Sequence, residues 1–255
     1  LVWFTKWIAQ AVSWIIRTPK NQEKEVFRLQ YISAGPLATP ELSVGQAFDE
    51  IIHFAKISKN GAMYAQSAIN EADTDKFEEY REKLVKYEEI SDRIEYEIAT
   101  FLNGVSTEEI SESTSIKIKA MYKIIGELES LGDSGETISR ILSRKNIHKK
   151  QFDSDTIKNL NMMADAVGDA YDVMIANMIA ANKGELVDIS NAYNAEDRLN
   201  TLRNNLRDAV IEDIENDSKN YQTSVYYMDI VNTYEHMGDF MINVSQDLER
   251  GFVHK

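Results

Sequence analysis

The sequence of 255 residues contains no cysteine. Without thiols the chain cannot form disulfides, iron–sulfur clusters or thiolate zinc sites, and it has no cysteine nucleophile. It also lacks a phosphate-binding glycine loop, a nucleophile elbow and a dinucleotide-binding fingerprint. We therefore expect a protein that is not an enzyme.

Proline and tryptophan are confined to one end of the chain, because all three residues of each type lie within the first 40 positions. Proline interrupts helices, so the long remainder without proline favours a helical region. The first 40 residues carry five basic and two acidic side chains, so a net charge of −14 for the whole chain leaves −17 on the remainder. A body that acidic repels phosphate backbones, and we expect no nucleic-acid partner.

Residues 1–17 form an apolar run with a polar stripe. Lys6, Gln10, Ser13 and Arg17 fall on one narrow face of a helix, and three tryptophans lie on the rest of it. The run is shorter than the roughly 20 residues that span a bilayer. The pattern is typical of an amphipathic helix lying on a membrane surface, although a helix packed on a partner domain has the same pattern. We assign residues 1–40 to a membrane-proximal segment and linker.

Helix start and stop signals divide the rest of the chain into six long helices. The predicted starts are at Thr39-Pro40, Asp73, Ser106, Ser154 and Asp217, with the fifth helix beginning after Gly184. Ser106 to Glu109 has the sequence of a capping box for the third helix, which we expect to reach residue 143. Residues 144–153 are a basic connector between two groups of three helices.

The third and sixth helices repeat each other at a shift of 106 residues. Seven positions at alternating spacings of three and four recur, and six of the seven pairs are apolar at both positions. They are Met121, Ile124, Leu128, Leu131, Gly135, Ile138 and Leu142, matched by Tyr227, Ile230, Tyr234, Met237, Met241, Val244 and Leu248. This spacing packs helices nearly antiparallel. We predict an all-α fold of two tandem three-helix bundles, over residues 41–145 and 152–251, preceded by the N-terminal amphipathic helix.

The same shift duplicates a pair of acidic residues. Glu129 and Asp133 lie four apart on one side of the third helix, and Glu235 and Asp239 repeat them on the sixth. Both pairs point away from the apolar stripe of their own helix. Ferritin-like di-iron enzymes need inward carboxylates and two Glu-x-x-His pairs, whereas one such pair occurs here, at residues 50–53. An interior di-iron oxidase is therefore disfavoured.

The sequence around each acidic pair resembles the duplicated Glu-Arg-Ile-Gly-Asp signature of PhoU-domain proteins. The two copies read ESLGDSGETI from Glu129 and EHMGDFMINV from Glu235. Residues 88–95, EEISDRIE, resemble the family's middle-helix motif. Residues 31–40, together with Glu50, resemble the linker that joins the membrane domain of a sodium/phosphate cotransporter to its C-terminal PhoU domain.

The resemblance implies divalent-cation sites on the bundle surface. The implied ligands are Glu129, Asp133, Glu235, Asp239, Glu88 and Asp92. Carboxylate-only ligation favours iron, manganese, magnesium or calcium, and bound phosphate or water would complete the shell. Tyr193 and Asn194 replace the middle-helix glutamates in the second repeat, so the motif is intact only in the first.

The resemblance also implies a function. It is that of a cytoplasmic regulatory domain of a sodium-dependent phosphate transporter, involved in phosphate uptake or its regulation at the cytoplasmic face of the cell membrane. Its partners would be the transporter's membrane domain in the same full-length chain, phosphate, and the membrane surface through residues 1–17. Two alternatives remain open: a carboxylate metal-binding bundle with redox or storage chemistry, and a purely structural helical adaptor. Homo-oligomerisation is compatible with all three.

Overall fold

The computed structural model describes residues 29–32, 39–185, 187–216 and 220–252. These residues form six α-helices, and no strand occurs among them. The helices are α1 (Pro40–Asn70), α2 (Thr74–Ser106), α3 (Glu112–Ile147), α4 (Ser154–Asn182), α5 (Ser190–Glu215) and α6 (Tyr221–Phe252). The predicted amphipathic helix of residues 1–17 lies outside the described residues.

Local capping chemistry explains most of the helix starts. α1 begins at Pro40, whose fixed backbone suits the first helical turn, and the Thr39 side chain before it forms no capping hydrogen bond. The side chain of Asp73 accepts a hydrogen bond of 3.0 Å from the backbone N–H of Lys76 at the start of α2. Asp153 caps α4 in the same way, through Thr156 at 2.7 Å. Each cap satisfies a backbone donor that the first turn of a helix leaves unpaired.

The predicted start of α3 at Ser106 is wrong. Ser106 is the last residue of α2, and its hydroxyl donates 2.8 Å back to the carbonyl of Leu102. Thr107 is the C-cap of α2, and its hydroxyl donates to the carbonyl of Gly104. The N-cap of α3 is Ser111, whose hydroxyl accepts from the backbone N–H of Thr114 at 3.1 Å. The hydroxyls of residues 106 and 107 therefore bond to carbonyls of the preceding helix, α2, and do not cap α3.

The predicted end of α3 is also wrong. α3 continues to Ile147, so the first part of the predicted basic connector is helical, and Arg144 and Lys145 lie in its last turn. Basic side chains there are favourable because the C-terminal end of a helix carries partial negative charge. α6 begins at Tyr221, where Asn220 accepts a hydrogen bond from the backbone N–H of Thr223 at 3.3 Å, and the start predicted at Asp217 lies outside the described residues.

The predicted fold of two three-helix bundles is confirmed. Within each repeat every helix packs against the other two, so that α1, α2 and α3 form one bundle and α4, α5 and α6 the other. All fourteen positions of the duplicated seam are buried. These side chains fill the bundle centre, and the helical period turns Glu129 and Asp133 away from it, whereas Glu235 is buried.

The two bundles pack side by side through α3 against α6 and α1 against α4. α3 and α6 run antiparallel: Ala120 lies against Gly251, where an added Cβ would come within 2.4 Å of the Ala120 Cβ. The hydroxyls of Ser58 on α1 and Tyr171 on α4 share a buried hydrogen bond of 2.8 Å. The apolar side chains of both repeats form one continuous core. This arrangement leaves α2 and α5 at the outer edges.

Among the described residues, no helix combines the length and apolar character needed to cross a membrane.

Candidate metal centre in the first repeat

Three carboxylates meet at the surface where α2 packs against α3. Glu88 and Asp92 lie one turn apart on α2, and Asp133 faces them from α3. One oxygen from each of the three lies within 4.8 Å of the other two. Oxygens that share a hard cation at bond lengths of about 2.0–2.6 Å lie at most about 5 Å apart. The triad therefore has the spacing of ligands to one cation.

A glycine allows the two helices to approach at this level. A Cβ added to Gly132 would lie 2.3 Å from Oγ and 2.7 Å from Cβ of Ser91. Such contacts are far shorter than van der Waals distance, so the observed separation of α2 and α3 requires glycine. Gly132 directly precedes Asp133, and Ser91 directly precedes Asp92. The close approach therefore brings the two aspartates to the same place.

The acidic cluster extends beyond the triad. Burial raises the pKa of Glu88, and the charges of Asp92 and Asp133 raise it further. Burial and the same two aspartates raise the pKa of Glu95. The pKa of Glu129 is also raised, first by burial and then by the charges of Asp133 and Glu95, although a hydrogen bond from the Ser130 hydroxyl opposes the shift. Mutual repulsion on this scale is relieved by a bound cation.

Asp133 is the residue best placed to receive a cation. Its Oδ1 atom is buried and has no hydrogen-bond partner among the described residues. Burial and the charge of Asp92 raise the pKa of Asp133, whereas Arg140 opposes that shift. A buried carboxylate oxygen without a partner loses hydration and gains nothing in return. A hard divalent cation would satisfy this oxygen, so the donor set fits Mg²⁺, Ca²⁺, Mn²⁺ or Fe²⁺.

In the second repeat the corresponding acids meet an arginine instead. Glu235 is a buried carboxylate, and its Oε1 accepts a 2.6 Å hydrogen bond from Arg203 on α5. His236 Nε2 lies 3.5 Å from the other carboxylate oxygen of Glu235. Burial and the charge of Glu235 raise the pKa of Asp239, and His236 and Arg203 oppose that rise. The guanidinium thus supplies positive charge at the position where a cation would be expected.

The middle helix of the second repeat also offers fewer ligands. Tyr193 stands at the position that corresponds to Glu88, and its hydroxyl accepts a hydrogen bond of 3.3 Å from Gln246. Asp197 corresponds to Asp92 and is exposed. Within the described ranges, Glu88, Asp92 and Asp133 are the one group of three potential ligands that converges. The cation site predicted at Glu235 and Asp239 stays a prediction, and it would require Arg203 to move away.

The solved structures that share this architecture include two PhoU proteins. One is the phosphate transport system regulatory protein PhoU from Streptococcus pneumoniae, with a TM-score of 0.68 and 14% identity, and the match covers 85% of this chain and 100% of that one. The other is PhoU from Pseudomonas aeruginosa, with a TM-score of 0.71 and 10% identity, covering 82% of this chain and 96% of that one. The chain has a PhoU-like fold. No family model matches the sequence, and no curated protein matches it.

On the PhoU-like fold the six predicted ligands separate into two groups. Glu88, Asp92 and Asp133 converge, and Glu129 lies close enough to Asp133 for its pKa to respond to that charge. Glu235 and Asp239 lie together on α6 but beside Arg203.

Sequence reasoning missed two residues of these sites. Glu95 belongs to the acidic cluster of the first repeat, and its position three residues after Asp92 on the same helix was an available signal. Arg203 was not foreseeable in this role, because its pairing with Glu235 depends on how α5 and α6 align.

Proposed function

We propose that this chain is a regulatory PhoU-like domain of a sodium-dependent phosphate transporter, acting without catalysis at the cytoplasmic face of the membrane. The observation that carries the proposal is the convergence of Glu88, Asp92 and Asp133 on a fold shared with a phosphate transport regulator. The duplicated signature and the linker-like sequence of residues 31–40 support the transporter connection.

The first repeat would hold its cation through residues of two helices. Glu88 and Asp92 come from α2 and Asp133 from α3, so a shared ion would join the helices at the Gly132–Ser91 contact. Three monodentate carboxylates fill only half of the six or more positions that a hard cation prefers. Water or a phosphate oxygen would complete the shell, which gives this surface a chemical means of responding to phosphate.

Tyr31, which precedes α1 in the chain, bonds to a buried acidic side chain of that helix. The backbone N–H of Tyr31 donates a 2.7 Å hydrogen bond to Oε2 of Glu50, and the Glu50 side chain is fully buried. The Tyr31 ring also meets His53 edge to face, with ring centroids 6.1 Å apart. These contacts hold Tyr31 against α1. This supports a domain whose position relative to a membrane partner is defined.

Cation binding is tested by thermal unfolding. We expect Mn²⁺, Fe²⁺, Mg²⁺ or Ca²⁺ to raise the melting temperature above that of an EDTA control. At a free cation concentration of a hundred times Kd, the free energy of unfolding should rise by about 2.7 kcal/mol. Asp133→Asn keeps the side-chain shape and removes a ligand charge, so it should abolish most of the shift. Asp208→Asn is the matched control, because Asp208 is an exposed acid of α5 that contacts its neighbour Arg207. Equal shifts in all three proteins would contradict the site.

The transport role needs a separate measurement. In cells that carry the full-length protein, uptake of radiolabelled phosphate is compared between wild type and Asp133→Asn, in sodium and in choline buffers. We expect the variant to change the rate of the sodium-dependent fraction or its response to external phosphate. A cation-dependent melting shift without any change in uptake would instead favour the carboxylate metal-binding bundle that has no transporter role.

A further inference from the structure

A polar groove lies between α2 and α3, toward the C-terminal end of α3 and next to the acidic triad, because the charge of Arg140 in its lining acts on Asp133. Its volume is about 520 Å³. Three arginines and three hydroxyl side chains line it, together with one glutamate. These residues are Arg81, Arg140, Arg144, Thr137, Ser139, Ser143 and Glu136. A cluster of three guanidinium groups is unexpected in a chain with 42 acidic against 28 basic side chains.

The arginines are only partly neutralised by protein carboxylates. Arg81 Nε lies 2.5 Å from Glu78, and Arg140 Nε lies 2.8 Å from Glu136, each within its own helix. Each of these two pairs engages one edge of a guanidinium that carries five N–H donors. Arg144 forms no ion pair or side-chain hydrogen bond with any residue in the described part of the chain.

In the second repeat the arginine that corresponds to Arg144 has a carboxylate partner. This arginine is Arg250, which lies 3.2 Å from the carboxylate of Asp247. The residue that corresponds to Asp247 in the first repeat is Ile141, which is buried and apolar. The first repeat therefore keeps the arginine but lacks its carboxylate partner. Arg140 and Arg144, one turn apart, are left beside each other with excess positive charge.

An unpaired hydroxyl lies at the same groove. Ser143 lines it, and the Ser143 Oγ atom is buried without a hydrogen-bond partner among the described residues. Helical serines commonly donate to the carbonyl four residues earlier, as Ser130 and Ser134 do on this helix. Ser143 makes no such bond, so an acceptor oxygen that reached this hydroxyl would satisfy a buried donor.

We propose that this groove binds a small oligophosphate anion. Arginine presents planar pairs of donors that match phosphate oxygens, and the three guanidinium groups come from both helices. The groove is larger than a single phosphate ion needs, which favours a chain of two or more phosphates. The strongly acidic body repels anions at long range, so binding must come from this local cluster. The same repulsion disfavours long polyanions such as nucleic acids, which would cross the acidic triad.

Isothermal titration with sodium tripolyphosphate in EDTA buffer tests the proposal, because EDTA keeps the cation site empty. We expect Arg144→Gln to weaken binding at least tenfold, and since Arg144 has no described partner, this change breaks no ion pair. Arg81→Gln should weaken binding in the same direction from the opposite helix. Arg207→Gln, an exposed arginine of α5, has the same charge change outside the groove and should stay within twofold of wild type.

Two further arms make the outcome decisive. Arg144→Lys keeps the charge but loses the donor pair, so it should fall between wild type and Arg144→Gln. Orthophosphate should bind at least tenfold more weakly than tripolyphosphate. Wild-type affinity in Arg144→Gln, or an equal loss in Arg207→Gln, would overturn the site. Equal affinity for the two anions would overturn the oligophosphate assignment. Circular dichroism melting of each variant shows that the fold is retained.

Discussion

The two repeats share the same helical arrangement, but the charges that surround their acidic residues differ. In the first repeat burial and the charges of neighbouring carboxylates raise the pKa of Glu88, Glu95, Glu129 and Asp133. In the second repeat Arg203 pairs with the buried Glu235. In the first arrangement the charge of Arg140 opposes the pKa shift of Asp133 only, and the repulsion within the cluster favours binding of a cation. The second arrangement already contains positive charge, on Arg203.

The difference arises from a few substitutions on the middle helix. The first repeat has Glu88 and the buried Ile98 on α2, and the corresponding residues of α5 are Tyr193 and Arg203. These exchanges remove one potential metal ligand and add one positively charged side chain without disturbing the apolar seam. A duplicated core can therefore persist while the polar surfaces acquire different chemistry, because seam packing and surface charge depend on different faces of the helices.

Removing Arg203 should have the largest effect on this comparison. Arg203→Gln leaves Glu235 buried without its charge partner, and we expect a loss of about 2–3 kcal/mol in the free energy of unfolding in EDTA. The change also frees Glu235 and Asp239 to bind a cation. Mn²⁺ should therefore stabilise this variant more than it stabilises wild type, as measured by urea unfolding with and without the metal.

The matched control for that experiment is Arg198→Gln. Arg198 is also on α5, but its partner Asp169 is exposed, so the cost should be below about 1 kcal/mol. A variant at Arg203 that loses stability without any added response to Mn²⁺ would mean that the pair is structural and that the second repeat has no latent cation site.

The next contrast concerns Gly132 and Gly238, the glycines at which the middle and last helices of each repeat approach closely. Gly132→Ala places a methyl group against the Cβ of Ser91, which cannot rotate away, so we expect a loss of about 1–2 kcal/mol in unfolding free energy and weaker cation binding. Gly238→Ala meets the flexible end of Leu199, with Cδ1 at 2.8 Å. That clash can relax, and the higher helix propensity of alanine offsets it, so the net change should be within about 1 kcal/mol.

These two variants also separate packing from ligation. Calorimetric titration with Mn²⁺ should show a reduced affinity in Gly132→Ala and an unchanged one in Gly238→Ala. An equal loss of affinity in both would place the cation somewhere other than the contact of α2 with α3.

Much of the fold could be predicted because its signals are local. Thr39-Pro40 and Asp73 mark helix starts through their own backbone neighbours, and the seam is a simple period. The start of α3 could not be chosen that way, because Ser106 and Ser111 are both capping residues. Leu102 and Val105 decide between them, since both are fully buried and keep α2 helical to its last turn.

The residues of the candidate site could be predicted only where their spacing within a single helix identifies them. The acidic pair on α3 and the pair on α2 could each be identified from their spacing, and their meeting followed from the resemblance. Arg203 lies on a different helix from Glu235, and nothing in the sequence fixes how those helices align. The unpaired state of Arg144 likewise became visible only when the groove was compared with its counterpart on α6.

The smallest expected effect is a difference in pH dependence. The pKa values of Glu88, Glu95, Glu129 and Asp133 are raised in the folded state, so the native protein binds protons more tightly than the unfolded chain does. In EDTA their contribution to stability must then decline as pH rises from about 4, the ordinary carboxyl range, toward 7. Asp133→Asn removes one charge from this cluster and should flatten the decline.

Asp239→Asn should flatten it less, because Arg203 and His236 already oppose the rise in the pKa of Asp239. With saturating Mn²⁺ the wild-type trend should reverse, since the cation competes with protons for the same oxygens and binds more tightly as the carboxylates ionise. Urea unfolding at several pH values, with EDTA and with Mn²⁺, measures both slopes. If Asp133→Asn and Asp239→Asn changed the EDTA slope equally, the first repeat would hold no special concentration of charge, and the contrast between the repeats would reduce to the Arg203 ion pair alone.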